Sequence, residues 1–252
     1  RTRGPCGAAA SYSSEGSSTT AATHGLCDAP RRASPGAAAQ RLFYFLHCSK
    51  VLLSSEPMEA LPADFAKGLS ACLEAVRAED VGVDPESIAK LSSRANIGYS
   101  GVYSGKEVTV CIFAMRRGSV IPLHDHPGMW VFGKLLFGKV RVRSFDPDGP
   151  PQGGSVRAQL RADCVLGPAP ATFSLTPEEG NLHELEALED CAFLDVLTPS
   201  YDPWNDRDCT YYKPVDDDFS DGRVGDWTTL VTYDPSGFVM DSLKYDGPPC
   251  CI

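Results

Sequence analysis

The chain has 252 residues, 33 of them acidic and 23 basic, which leaves a formal net charge of −10. That balance repels phosphate backbones and argues against a nucleic-acid partner. No run approaches the ~20 consecutive apolar residues that span a bilayer, so no membrane span is expected.

Residues 1–36 are rich in Ala, Ser, Gly and Thr, carry four Arg and two acids, and show no hydrophobic period. They read as a disordered tail, and their composition also suits an organelle-targeting segment. The rest, 37–252, reads as a single domain. In "AAAQRLFYFLHCSKVLLS" (37–54) Leu42, Phe45, Leu46 and Leu53 fall at helical spacing. "ADFAKGLSACLEAVR" (63–77) is a second helix candidate. His47, inside the first, is read as structural.

The pattern then turns to strands. "EVTVCIFAM" (107–115) is rich in β-branched residues, and "KVRVRSF" (139–145) alternates apolar with basic, the period of a half-buried strand. "CAFLDVL" (191–197) and "WTTLVTY" (227–233) continue the series. Turn clusters at 147–154, 176–181 and 201–206 separate them, and the acidic run 216–222 reads as a solvated loop. Short strands between Gly/Pro turns, with few helices after residue 100, predict a mainly β sandwich or barrel preceded by N-terminal helices. The ten cysteines are scattered, several lie in apolar runs, and none forms a CxxC pair. They read as small buried hydrophobes in a reducing compartment, not as a disulfide scaffold or a thiolate zinc site.

Two of the five histidines stand in "IPLHDHPGMW" (121–130). Residues two apart in a strand share a face, so His124 and His126 are expected to project together, with Asp125 pointing away and Pro127–Gly128 turning the chain. Two imidazoles on one face can begin a divalent-metal site. A third ligand is needed; His24 lies in the tail and His47 in a helix, which leaves His183, farther along the chain in "EEGNLHELEAL". The alternative is that all three are ordinary structural histidines.

The wider segments sharpen the pattern. "GSVIPLHDHPGMWVFGKLLFG" (118–138) and "PEEGNLH" (177–183) resemble the two cupin motifs. The resemblance implies a double-stranded β-helix, the cupin jelly-roll barrel, with a metal inside. Many cupins carry a metal-binding Glu a few residues after the HxH, where this chain has Trp130 and Val131. Three neutral imidazoles would leave the full dipositive charge of a bound ion, which favours an anionic substrate ligand such as a thiolate and contrasts with the 2-His-1-carboxylate site of many Fe(II) oxygenases. Oxidation of a thiolate by both atoms of O₂ gives a sulfinate.

"IPLHDHPGM", "LLFGKVRVRSFD", "GNLHELEA", "CAFLDVLTPSYDP" and "RDCTYY" together resemble the cysteamine dioxygenase and plant cysteine oxidase family of thiol dioxygenases, over roughly residues 37–248. The resemblance implies Fe(II) held by His124, His126 and His183, O₂ as co-substrate, and a substrate with an amine and a thiol on adjacent carbons. That substrate is the N-terminal Cys of a protein or peptide, oxidised in an oxygen-sensing step of N-degron degradation, or cysteamine. Asp195 in "FLDVL" matches a family acid near the iron, and its buried setting calls for a partner such as a substrate ammonium. Tyr201 in "PSYDP" matches a Tyr at the mouth of the site. Cys209 and Tyr211 match a pair that some members join by a thioether. The family also suggests a monomer, and a location in the cytoplasm, or in cytoplasm and nucleus, is expected alongside the targeting alternative for the tail. Competing readings are a dioxygenase of small free thiols and a non-catalytic cupin that stores zinc or nickel.

Overall fold

The computed structural model describes residues 34–54, 61–167, 172–215 and 222–252. Residues 1–33 of the expected tail, and 216–221 of the acidic run, lie outside the described residues.

Helix α1 runs Ala37–Cys48, beginning just after Gly36, whose N–H donates to Asp80 Oδ1 at 2.9 Å. The single helix expected over 37–54 is instead two. Ser49 Oγ donates back to the Phe45 carbonyl at 2.9 Å, competing with the helical ladder, and a separate turn, α2 (Lys50–Leu53), follows. Helix α3 covers Ala63–Ala75 and stops where Val76 takes an extended conformation, just short of the expected end at Arg77. A short turn at Ala78–Val81 and helix α4 (Glu86–Ala89) complete the helical part. Leu42 and Leu46 of α1 and Leu69 and Leu73 of α3 are all buried and share one core cluster. Leu69→Ala should therefore cost about 2–5 kcal/mol through lost transfer energy and the cavity left behind. A thermal melt should show a drop of about 5–15 °C.

The strands are β1 (Ile97–Ser104), β2 (Thr109–Met115), β3 (Val120–His124), β4 (Trp130–Phe137), β5 (Val140–Pro147), β6 (Ser155–Leu166), β7 (Thr172–Leu175), β8 (Leu182–Ala187), β9 (Cys191–Thr198), β10 (Tyr212–Pro214), β11 (Trp227–Thr232) and β12 (Met240–Ser242). They form two six-stranded sheets, ordered β12-β1-β2-β9-β4-β7 and β10-β11-β6-β5-β8-β3. Pairing is antiparallel apart from β1 with β12. The fold is mainly β, a cupin-type double-stranded β-helix with helices at its N-terminal end.

The strand sequences record which faces are covered. Val110 and Ile112 of β2, Phe132 of β4 and Leu194 and Val196 of β9 pack outward in one cluster with the residues of α1 and α3. Their inward neighbours are buried in β9 and buried or half-buried in β2, so both strands read as continuous apolar runs. Strand β5 alternates because no helix among the described residues covers its outer face. There Arg143 pairs with Glu184 at 3.0 Å across the β5–β8 ladder, and Arg141 makes a two-pronged contact with Asp163 at 2.7 and 2.7 Å. Such cross-strand pairs contribute about 0.2–1 kcal/mol each.

Candidate metal centre

A cavity of about 210 Å³ lies between the sheets. Alternation supplies most of its wall: Thr109, Cys111 and Phe113 from β2, Phe193, Asp195 and Leu197 from β9, His183 and Leu185 from β8. Strand β3 departs from alternation. Its register against β8 shifts between Ile121 and His124, so these two, three apart, both face the cavity, while Leu123 joins a separate core cluster. The strand ends at His124. His126 thus shares the face of His124 through this irregularity and the turn that follows, not through the pleat expected from the sequence. The turn is tight: Met129 N–H donates to the His126 carbonyl at 3.0 Å, with Pro127 and then Gly128, at φ 64°, in its two central positions. This is the residue pattern of a type II turn.

The three imidazoles converge. Ring centroids are 4.9 Å apart for His124–His126, 4.7 Å for His124–His183 and 5.0 Å for His126–His183. One nitrogen from each lies within 4.8 Å of the others, and all three residues are buried. Burial holds all three neutral: it lowers His124 to about 4 and, with the mutual proximity of the rings, His126 and His183 well below the ordinary imidazole value. Neutral imidazole is the form that ligates.

Hydrogen bonds set two of the tautomers. His124 Nδ1–H donates to the Pro122 carbonyl at 2.8 Å. Tyr201 OH donates to the Asp125 carbonyl at 2.8 Å, so its oxygen accepts from His126 Nδ1–H at 2.7 Å. Both arrangements leave Nε2 with a lone pair directed inward. His183 Nε2 lies 3.0 Å from His126 Nε2, and His183 Nδ1 is buried without a hydrogen-bond partner. The donor set fits a divalent ion: two ligands at ~2.1 Å from a shared cation and at right angles stand ~3.0 Å apart. No carboxylate joins this cluster among the described residues.

Surrounding residues hold the ligands in place. Asn181 Oδ1 accepts from His126 N–H at 3.0 Å, and its Nδ2 donates to the His126 and Thr176 carbonyls at 2.8 and 3.1 Å. Asp125 points away from the cavity but not into solvent. Its two carboxylate oxygens accept from Thr210 N–H at 2.8 Å and Tyr212 OH at 2.9 Å, which ties β10 to the HxH segment. Sequence reasoning missed Asn181 and Tyr212, since neither side-chain hydrogen bond has a local signal. Tyr201→Phe removes only the hydroxyl that orients His126. It should weaken metal affinity about 10- to 100-fold, read by titration with the ion, with little change in folding.

Asp195 faces the same cavity from β9, where every residue is buried. Its Oδ1 has no hydrogen-bond partner, and burial pushes the carboxyl up to about 8. Cys209 and Tyr211 line the mouth beside Tyr201. The Cys209 thiol is within hydrogen-bonding reach of both phenols; burial first, then the Asp125 and Asp208 carboxylates, push it up to about 11 against the lowering effect of those two hydrogen bonds, while burial and Cys209 push Tyr211 up to about 12. Tyr211 forms a backbone bridge with His124, their rings 6.1 Å apart. His47 is exposed on α1, away from the cavity lining. The cavity also takes in Tyr99, Phe238 and Met240, from segments that the sequence patterns left unassigned.

The PCO_ADO family profile matches residues 72–250. Plant cysteine oxidase 2 of Arabidopsis thaliana is 31% identical over 219 residues, covering 80% of this chain and 79% of that protein. Plant cysteine oxidase 1 of the same plant is 34% identical over 69% of this chain, a match spanning 63% of that relative. The 2-aminoethanethiol dioxygenase of Mus musculus is 32% identical, covering 65% of this chain and 73% of that protein. With its profile match spanning well over half the sequence, the chain belongs to the PCO_ADO family.

Proposed function

We propose that this protein is a non-haem Fe(II) thiol dioxygenase that oxidises the N-terminal cysteine of proteins or peptides to the sulfinic acid, as an oxygen-sensing step in protein degradation. The overall change is RS⁻ + O₂ → RSO₂⁻. Sulfur supplies all four electrons, so no external reductant enters. The observation that carries this reading is the partnerless Oδ1 of buried Asp195, facing the same cavity as three neutral imidazoles. A substrate ammonium is the group such a carboxylate lacks, and a thiolate is the anion that an all-imidazole site lacks.

His124, His126 and His183 would hold the ion. Bound Fe(II) would supply a centre able to take thiolate and O₂ together and to pass electrons from sulfur to oxygen. The chain's own residues do the rest. Asp195 binds the amine and fixes which end of the substrate enters first. Tyr201 keeps His126 in its ligating tautomer and borders the polar end of the substrate. Phe113, Phe193, Leu185 and Leu197 exclude water from the reacting sulfur. Cys209 and Tyr211 stand as partners for a thioether, which would register as a loss of two hydrogens in the mass of the peptide carrying them. A monomer in the cytoplasm, or in cytoplasm and nucleus, completes the reading; its scattered cysteines suit a reducing compartment.

The names of the mammalian relatives favour one second reading, a cysteamine dioxygenase. One experiment separates the two. The Fe(II)-loaded protein is given ¹⁸O₂ with a Cys-initiated peptide, its N-acetylated form, or cysteamine, and products are weighed by mass spectrometry. Gain of two labelled oxygens by the free peptide and none by the acetylated one is the expected result. Turnover of cysteamine alone would replace the peptide reading.

A further inference from the structure

Strand β11 ends at Thr232 in one sheet, and β12 begins at Met240 in the other, beside β1. The segment 233–239 between them therefore crosses from sheet to sheet at the mouth of the barrel. This crossing is tied at its start by Tyr233 N–H donating to the Tyr211 carbonyl at 3.1 Å and turned by Phe238 N–H donating to the Pro235 carbonyl at 2.8 Å. Phe238 and Met240 line the histidine cavity on one side and a surface hollow on the other, as do Cys209 and Tyr211. Cavity and hollow are thus neighbouring spaces that share a wall of four side chains. The rings step outward from His124 to Tyr211 at 6.1 Å and from Tyr211 to Phe238 at 5.9 Å. About four residues of extended chain cover that span, at ~3.3–3.6 Å each.

Asp234 is exposed and lines this hollow and the next one along the crossing. Lys213 on β10 lies over the Tyr233 ring at 5.7 Å, and the Glu184 carboxylate, paired with Arg143, also acts on Tyr233. Asp234 thus stands exposed at the rim of a chain whose net charge is −10.

We propose that the hollow bounded by Tyr211, Phe238 and Met240 carries the residues that follow the substrate's N-terminal cysteine, and that Asp234 selects a basic side chain there. The proposal rests on the peptide reading of the site. Cysteamine ends inside the cavity and has nothing to place in the hollow. A peptide held by its amine and thiol must leave with its chain, and the shared wall continues from the metal centre to Asp234.

The test compares kcat/KM of the Fe(II)-loaded wild-type protein and Asp234→Lys on two Cys-initiated peptides that differ only in Lys or Glu at positions three and four, with cysteamine as the third substrate. At low ionic strength the wild type should favour the Lys peptide about fivefold, Asp234→Lys should reverse that order, and both differences should shrink with added salt. Cysteamine turnover should change less than twofold. Equal use of both peptides by both proteins, with turnover intact, would overturn the role of the hollow while leaving the peptide reading standing. A parallel loss on all three substrates would overturn it too, by showing that Asp234 supports the fold and not selection. Turnover of cysteamine with neither peptide touched would remove the peptide reading, and the hollow's role with it.

Discussion

Replacing His183 by alanine should remove the bound metal and the activity together. His183 is almost wholly buried, and its Nε2 faces that of His126 at 3.0 Å. Two imidazoles remaining would leave a bound ion without its third nitrogen, and no carboxylate in the cluster can replace it. We expect at least a thousandfold loss of turnover and an ion content near zero after gel filtration, read by elemental analysis. Stability adds a second measurement. An ion that binds only the folded chain stabilises it by about 2.7 kcal/mol at a hundred times its dissociation constant. A chelator should therefore lower the melting temperature of the wild type and leave His183→Ala unmoved. A variant that kept its ion, or that melted lower with chelator, would refute the three-histidine site.

Asp195→Asn should divide activity from stability. Burial holds the Asp195 carboxyl up at about 8, against an unfolded value near 3.9. Between those values the folded chain binds the extra proton, so stability falls as pH rises through the window, and it is highest below it. Asparagine cannot ionise and escapes that loss. The metal-free variant should match the wild type below about pH 4 and exceed it by up to several kcal/mol at pH 8, as measured by urea unfolding across pH. Catalysis should move the other way: losing the carboxylate that a bound substrate ammonium draws into its charged form should cost about a hundredfold in kcat/KM, with most of the loss in KM. A merely structural Asp195 would leave kcat/KM near its wild-type value in a folded variant. This opposition is the pattern expected where a group is kept for function at the expense of stability.

The fold was legible where local chemistry and packing agree. Strand β5 announced itself by alternation because its outer face is lined with ion pairs, and β2 and β9 by unbroken apolar runs because helices cover their backs. Helix α1 was placed at its core face but not at its end, since the Ser49 hydroxyl bond that interrupts it resembles any serine in the sequence. At the site, spacing brought out the three histidines as candidates, though not the irregular strand end that aims them; Asp195 shares a face with Phe193 and Leu197, but both faces of β9 are apolar and buried, so which one points inward could not be read. The register shift in β3 could not be read, because it belongs to the pairing with β8. The Asn181 clamp and the crossing at 233–239 were hidden for the same reason: their meaning lies in partners far away in the sequence, His126 for the clamp, Tyr211 and Ile97 for the two ends of the crossing.

The pairing of β12 with β1 has a consequence for synthesis. Met240 lies beside Ile97, so the strand that closes this edge of the barrel is made long after its partner. At about 5–20 residues per second, the ribosome needs roughly 7–30 s to make the last strand after the first has emerged. His183 also precedes Met240 in the chain, so at that rate all three ligands exist for several seconds before the wall of Phe238 and Met240 can form. During that interval the nascent trough is open to whichever ion arrives, and zinc outranks ferrous iron for nitrogen ligands. An ion that reached the three imidazoles before that wall formed would be chosen by timing and supply in the translating cell as well as by the geometry of the finished barrel.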